Sequence, residues 1–367
     1  MHYFTFAEKD TTIYENSGSL NAGIDEILEV RKEVSDSGDM FNVSLILIKY
    51  DLSFISSSIV KGAITNTKFY LNMYDANSQN LSTSHSLWAY SVSGSWIMGE
   101  GRSYDNPITT EGASWKFRDG KINGTIWPGT ISASGGQWYD GVGYQASHSI
   151  GHKTADIRMN VTDIVNSWLN KSTPNEGFIL KRSGSAGNLA TGSDEGNTTR
   201  FGNLSFFSSD THTKYPPTLE TVWNDSKWSV GSLAPLSGSD IEDMTIYMKG
   251  LRPEYKEKSK VRFRLVGRER FPEKTYSTTP SNLTVKTLPS ASSFYSIKDA
   301  ETDDVIVPYG SGSYISCDSN GNYFNLWLDG YQPERYYTIE YRVRSGSGTV
   351  DEIDQYFDEG FTFKVSQ

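Results

Sequence analysis

The sequence predicts an all-β chain of packed sandwiches interrupted by one short helix. Three observations predict it. Aromatic residues are abundant, with 22 Tyr, 17 Phe and 9 Trp in 367 residues, and they pack well on a pleated surface beside β-branched neighbours. The apolar runs are short, the length of strands rather than of buried helices. Ser, Thr, Gly and Asn fill the intervals and supply turn conformations.

The elements follow in chain order. Ile27-Leu28-Glu29-Val30 and Leu45-Ile46-Leu47-Ile48-Lys49-Tyr50 read as strands. The second is apolar at nearly every residue and so belongs in the middle of a sheet covered on both faces. Asp51-Leu52-Ser53 closes it, and Ala63-Ile64-Thr65 with Lys68–Tyr74 form the next pair. Residues 86–155 hold a long glycine-rich stretch with Trp88, Trp96, Trp115, Trp127 and Trp138. A structureless loop of that length is unexpected in a compact domain, so short strands and a large insertion packed by its own aromatics are predicted.

The helix is predicted over 160–169. Asn160-Val161-Thr162-Asp163 caps it, and Val161, Ile164, Val165, Trp168 and Leu169 fall on one apolar face. Pro174 and Gly177 end the pattern. Gly177–Lys181 and Arg200–Ser208 are further strands, and Pro216–Trp223 reads as a closing edge strand because proline is tolerated there.

Residues 225–242 are rich in Ser and Gly and read as a linker. Beyond them the chain echoes itself. Met244–Lys249, Gly250-Leu251-Arg252-Pro253-Glu254 and Val261–Leu265 match Asn325–Asp329, Gly330-Tyr331-Gln332-Pro333-Glu334 and Thr338–Val343. Both read as strand, Gly-x-x-Pro-Glu turn, strand. Two small sandwiches in tandem, or two halves of one, produce such an echo. The tandem arrangement is preferred, with a boundary near Pro289 and domains over 1–225, 226–289 and 290–367. Gly360–Val365 is the last strand.

Composition narrows the function. The net charge is −10, whereas nucleic-acid binders cluster Lys and Arg against phosphate. The one basic run, Lys256 to Arg270, alternates with Val261, Phe263, Leu265 and Val266 and reads as the wet face of a strand. An acidic surface also argues against anionic membranes. With Cys317 alone, no internal disulfide and no thiolate zinc site forms. The start, Met1–Asp10, lacks the pattern of a secretory signal, and no apolar run reaches membrane-spanning length.

Catalytic signatures are not found: no His-Glu-x-x-His, Cys-x-x-Cys, P-loop or Gly-x-Ser-x-Gly. Gly141-Val142-Gly143-Tyr144-Gln145-Ala146 mimics a dinucleotide fingerprint without its strand and helix. His148 and His152 are four apart, but Gly151 and flanking serines favour strand or loop over a metal pair. Asp318-Ser319-Asn320-Gly321-Asn322 begins like a calcium loop, yet position 327 is Trp where the distal Glu belongs. Asp303-Asp304 and Asp351-Glu352 read as solvated turns rather than glycosidase pairs. No cofactor, no metal site and no enzyme activity are expected. Trp127, Trp138 and Tyr139 lie in polar, glycine-rich surroundings and are the candidate glycan-binding residues, with packing of the insertion as the competing role.

Two resemblances bear on this. Asp10–Tyr14, Leu28-Glu29-Val30, Ile48–Ser53, Ser95-Trp96 with Glu100-Gly101, Gly112–Asp119, Asn160–Val165 with Trp168-Leu169, and Gly177–Lys181 together resemble the DNRLRE family of jelly-roll domains, similar to carbohydrate-binding modules. The resemblance spans the first 225 residues and implies an N-terminal jelly roll. Tyr295–Ala300, Asp318–Phe324, Gln332–Tyr337 and Phe361–Val365 resemble the terminal domains of structural proteins of contractile-tailed phages, especially those of marine cyanobacteria.

The expectation is therefore a jelly roll followed by one or two Ig-like sandwiches, in a phage virion structural protein of the neck, collar or tail. It is made in the host cytoplasm and assembles with other virion proteins as a symmetric homo-oligomer. The alternative is a glycan-binding adhesin that recognises a host-surface glycan through Trp127, Trp138 and Tyr139.

Overall fold

A computed structural model describes residues 1–34, 41–81, 85–127, 135–139, 141–151, 155–182, 200–236, 244–271, 276, 285–345 and 353–367. Among them the chain is almost all-β with two short α-helices, a generic sandwich architecture in curled sheets. It divides into two compact units: residues 5–61 with 68–221, and residues 1–4 and 62–67 with 222–367.

The first unit is built on β1 (His2–Tyr14), β2 (Ile27–Val34), β3 (Phe41–Tyr50), β4 (Lys68–Met73), β5 (His85–Ser91), β6 (Gln145–Ile150), β7 (Ile157–Asn160), β8 (Phe178–Lys181), β9 (Gly202–Phe207) and β10 (Thr218–Val222). The strand order is β6-β5-β8-β3-β1-β10-β4-β7, with β2 bridging β3 and β9. β3 is central, and Leu45 to Ile48 are buried on both faces. Its register against β1 sets Asp10 opposite Ile48 and Ile13 opposite Leu45. The sheet curls until its two end strands, β6 and β7, lie side by side, with no ladder between them among the described residues.

Helix α2 (Thr162–Leu169) confirms the amphipathic reading: Ile164, Val165 and Trp168 are buried, and Trp168 packs on Phe178 with ring centroids 4.7 Å apart. Its start is held by Asn160, whose Oδ1 accepts the Thr162 backbone N–H at 3.1 Å. Three readings of the first 225 residues are corrected. Helix α1 (Ser53–Val60) follows β3 where only a strand end was predicted. Its serines give no apolar period, and Asp51 starts it by accepting the Ser53 N–H at 2.9 Å. Residues 63–65 form no strand. The predicted edge strand β10 lies between β1 and β4 and is buried throughout.

The second unit contains β11 (Ala234–Pro235), β12 (Met244–Lys249), β13 (Glu254–Lys256), β14 (Lys260–Glu269), β15 (Lys286–Thr287), β16 (Ser293–Asp299), β17 (Val305–Val307), β18 (Ser316–Asp318), β19 (Gly321–Trp327), β20 (Tyr336–Ser345) and β21 (Ile353–Ser366). Six strands form one sheet, β11-β15-β14-β19-β18 with β12 on β14. Five form the other, β13-β21-β20-β16-β17. The boundary expected near Pro289 divides neither sheet. β14 pairs with β19 from Lys260↔Trp327 to Leu265↔Asn322, and β13 pairs in parallel with β21. Of the two arrangements the echo allowed, the strand pairing is that of two halves of one sandwich.

The reason is the core. Tyr295 of one sheet stacks on Phe324 of the other at 4.1 Å, and Phe263 meets Phe363 at 5.2 Å. Each such side chain, fully buried, contributes about 1.5–3 kcal/mol, and neither half has a second layer to bury its aromatics without the other.

Candidate interaction surfaces

The described residues of the insertion between β5 and β6 (92–127, 135–139 and 141–144) form a platform built from inside. Asn21, fully buried, is its clamp. Its backbone N–H donates to the Thr109 carbonyl at 2.9 Å. Its Nδ2 donates to the carbonyls of Met98 at 2.7 Å and Ala113 at 2.9 Å, and its Oδ1 accepts the Gly101 N–H at 2.9 Å. The backbone crowds this amide so closely that a Cβ on Gly112, which sits at φ +115°, would stand 2.5 Å from Nδ2.

Beneath the platform lie Trp96, Trp115 and Trp127, packed with Ile13, Leu45, Leu47, Tyr90 and Ile179 of the sheet. Each indole N–H whose bond is resolved finds a carbonyl: Trp127 Nε1 donates to Ser114 at 2.9 Å and Trp96 Nε1 to Glu176 at 2.9 Å. The Lys9 ammonium lies over the Trp96 ring at 4.3 Å, and burial pulls its pKa down, helped by Lys49.

The predicted glycan residues are thus placed unequally. Trp127 is only 1% exposed, so neither ring face can meet a sugar; the competing packing role holds for it. Trp138 is half-buried against the same cluster, with the Lys181 ammonium 4.4 Å from its ring centre. Tyr139 is half-buried beside Tyr144 at 5.6 Å. Of the four tryptophans expected in the core, Trp96, Trp115 and Trp168 are buried there, whereas Trp88 is only half-buried, stacked on Tyr90.

Turned outward are side chains that sequence reasoning passed over. Ile122 is 73% exposed, Ile126 59% and Ile97 57%, and Tyr104 and Ile108 also face solvent. Short ladder contacts carry two of them, Ile97 and Ile126: Ile97 N–H donates to the Arg118 carbonyl, Arg118 N–H to the Thr125 carbonyl, and Phe117 bridges Ile126. The turns between are fixed by carboxylates. Asp119 accepts the Thr125 hydroxyl at 2.8 Å and Asp105 the Thr109 hydroxyl at 2.7 Å. The Thr109 bond is the main cause that lowers the Asp105 pKa.

Where β6 and β7 meet, a cleft of about 270 Å³ is lined by Lys68, Gln145, Ala146, Asn160, Thr162 and Asp163. The fingerprint-like residues 141–146 therefore lead into an edge strand, not a nucleotide-binding turn. His148 sits half-buried on β6, where desolvation lowers its pKa; His152 lies outside the described residues. No group of three or more metal-ligating side chains is found among the described residues.

No family model matches the chain, and no curated protein matches it. Among solved structures it is similar to a DUF4785 family protein from Legionella pneumophila, at 8% identity and a TM-score of 0.20, with 100% of this chain aligned to 62% of that one. The chain thus spans less than two thirds of that protein's length, and a likeness this low says nothing of what either half binds.

In the second unit the calcium-like segment is a hairpin. Ser319 and Asn320 join β18 to β19, with Gly321 at φ +115°. The Asp318 carboxylate is already taken, accepting from Arg264 Nη1 at 2.9 Å and Nη2 at 2.8 Å and from the Asn320 N–H at 2.9 Å. The Arg264 bond holds its pKa below the usual carboxylate range. The basic run is a strand, as predicted: in β14 Phe263 and Leu265 turn inward while Lys260 and Arg262 are exposed. Asp303 and Asp304 lie in an exposed turn, and Asp351 and Glu352 lie outside the described residues.

Proposed function

We propose that this is a structural protein that works by assembly, a component of a phage particle's neck, collar or tail, with a jelly-roll N-terminal half and an Ig-like C-terminal sandwich. The carrying observation is the inside-out division of the insertion. Its tryptophans are consumed in packing, while exposed aliphatic side chains stand on backbone locked by Asn21 and the aspartate turns. Exposed apolar groups on an ordered platform are what a neighbouring subunit covers. A sugar-binding surface calls for the opposite division, with aromatic faces outward. The resemblance of the C-terminal part to phage structural proteins supports the same reading.

The test is incorporation. Purified particles should hold the chain at a fixed copy number by quantitative mass spectrometry, and an Ile122→Asp/Ile126→Asp chain should remain outside them. A chain that stays free of particles, or a double variant that incorporates normally, overturns the reading.

The adhesin is the second reading. It is favoured by the polar cleft at the β6–β7 seam and the half-exposed Trp138 and Tyr139, and it predicts glycan binding lost in Trp138→Ala.

A further inference from the structure

The outer face of the six-stranded sheet carries a ladder of cations laid on rings. On β14 and β19 the register sets Lys260 opposite Trp327, Arg262 opposite Asn325 and Arg264 opposite Tyr323. The Lys260 ammonium stands 4.7 Å from the Trp327 ring centre, and the Arg262 and Arg264 guanidiniums stand 4.3 Å and 5.6 Å from that of Tyr323. Arg262 also donates to Asn325 Oδ1 at 3.1 Å. The face continues onto β12, where Lys249 is opposite Arg264 and Thr245 opposite Arg268; directly opposed residues point to the same side of a sheet. Among the described residues of this face, five cations thus accompany the one carboxylate of Asp318, on a chain whose net charge is −10.

The third rung shows what such a rung takes. There the Asp318 carboxylate sits bidentate on Arg264 beside Tyr323. Arg262 comes no nearer than 4.0 Å to that carboxylate, at the Oδ2 that Arg264 already holds, and is 50% exposed. No carboxylate among the described residues meets Lys260. The rings prop both cations outward and keep the side chains from collapsing, which lowers the ordering cost of binding an anion. Successive rungs are alternate residues of a strand, about 7 Å apart. Alternate side chains of any extended polypeptide repeat at that same distance.

We propose that this face docks an extended acidic segment of a neighbouring protein subunit, with Asp or Glu at every second position, its carboxylates seated on Arg262 and Lys260 as Asp318 is seated on Arg264. The proposal rests on the assembly reading and names the partner chemistry of a second surface.

The probes are short peptides offered to the full-length chain at low salt, followed by calorimetry and Trp fluorescence. One carries glutamate at alternate positions; its isomer carries the same glutamates in one block. Oligo-dT and heparin of matched charge are the competing polyanions. The alternating peptide should bind several-fold tighter than the block isomer and than either polyanion, and lose affinity as salt rises. A Lys260→Gln/Arg262→Gln chain, with both changes on exposed side chains, should bind it about tenfold more weakly with an unchanged circular dichroism spectrum.

No binding, equal binding of the two peptides, tighter binding of oligo-dT or heparin, or full affinity in the double variant each overturns the proposal. Particle incorporation of the double variant is scored separately. If peptide binding fails while the wild-type chain still incorporates through its insertion, the ladder falls and the assembly reading stands.

Discussion

Asn21 donates from its side-chain amide to the Ala113 carbonyl at 2.9 Å, across 92 residues of sequence. That bond joins the loop after β1 to the far arm of the insertion, and the same amide serves Met98 and Gly101. Replacing it with alanine leaves two carbonyls, of Met98 and Ala113, and two N–H groups, of Gly101 and Gly23, without this partner, at roughly 1–3 kcal/mol for each group left unsatisfied. Asn21→Ala should therefore lower the stability of the N-terminal unit by about 3 kcal/mol or more. Limited proteolysis should cut first between residues 97 and 126. Equal protease resistance in the variant would show that the insertion holds itself.

Trp127 and Ile122 should behave as opposites. Trp127→Ala empties a filled core site and should cost about 3–5 kcal/mol in denaturant titrations. Ile122→Asp removes an exposed side chain and should change stability by no more than about 0.5 kcal/mol, yet block incorporation into particles. If the costs ran the other way round, the division of the insertion into packed rings and presented aliphatics would be wrong.

The contrast shows what was legible. Periodicity located β3, β8, β14 and α2 because each carries its burial pattern in its own residues. The edge assignment of β10 failed because Pro216-Pro217 marks a strand start, whereas its neighbours β1 and β4 are fixed by contacts far along the chain. The glycine-rich flanks of Trp127 left a surface ring and a packing ring both open. Its partners Leu45, Tyr90 and Ile179 come from three distant strands, which no local window contains. Asn21 carried no signal at all: a buried clamp and a turn asparagine look alike until the carbonyls around them are placed. The Gly-x-x-Pro-Glu echo was visible, but not that both copies would meet on one strand.

That meeting gives a third prediction. The Lys364 N–H donates to the Pro253 carbonyl at 2.8 Å, and the Val365 N–H to the Arg335 carbonyl at 3.1 Å, so β21 is held by both repeats. Gly250 and Gly330 begin the two turns at φ +72° and +81°, a region that costs other residues about 1–2 kcal/mol. A Cβ on Gly250 would meet nothing within 4 Å, whereas one on Gly330 would collide with Phe4, standing 3.0 Å from its carbonyl oxygen. Gly250→Ala should show only the backbone cost. Gly330→Ala should lose clearly more in thermal melts, because Phe4 packs edge-on to Tyr331 inside the core. Equal losses would mean that Phe4 yields freely.

Asp10 supplies a pH dependence. Its carboxyl is buried between strands, where desolvation pushes its pKa up from 3.8 to about 7 against the opposing bond from the Ser209 N–H. Its Oδ1 has no hydrogen-bond partner among the described residues, so the neutral acid is the form the site favours. Between pH 4 and 7 the folded chain keeps a proton that the unfolded chain has released. Stability conferred by that proton is complete below the unfolded value and is lost as pH rises toward 7, with a slope of about 1.4 kcal/mol per pH unit. Above that window the contribution is flat. Asp10→Asn keeps an oxygen for the Ser209 N–H and carries no charge. It should remove the downward slope and leave the N-terminal unit more stable than wild type at pH 8, measured by urea unfolding across the range. A variant that keeps the wild-type slope would place the titrating group elsewhere.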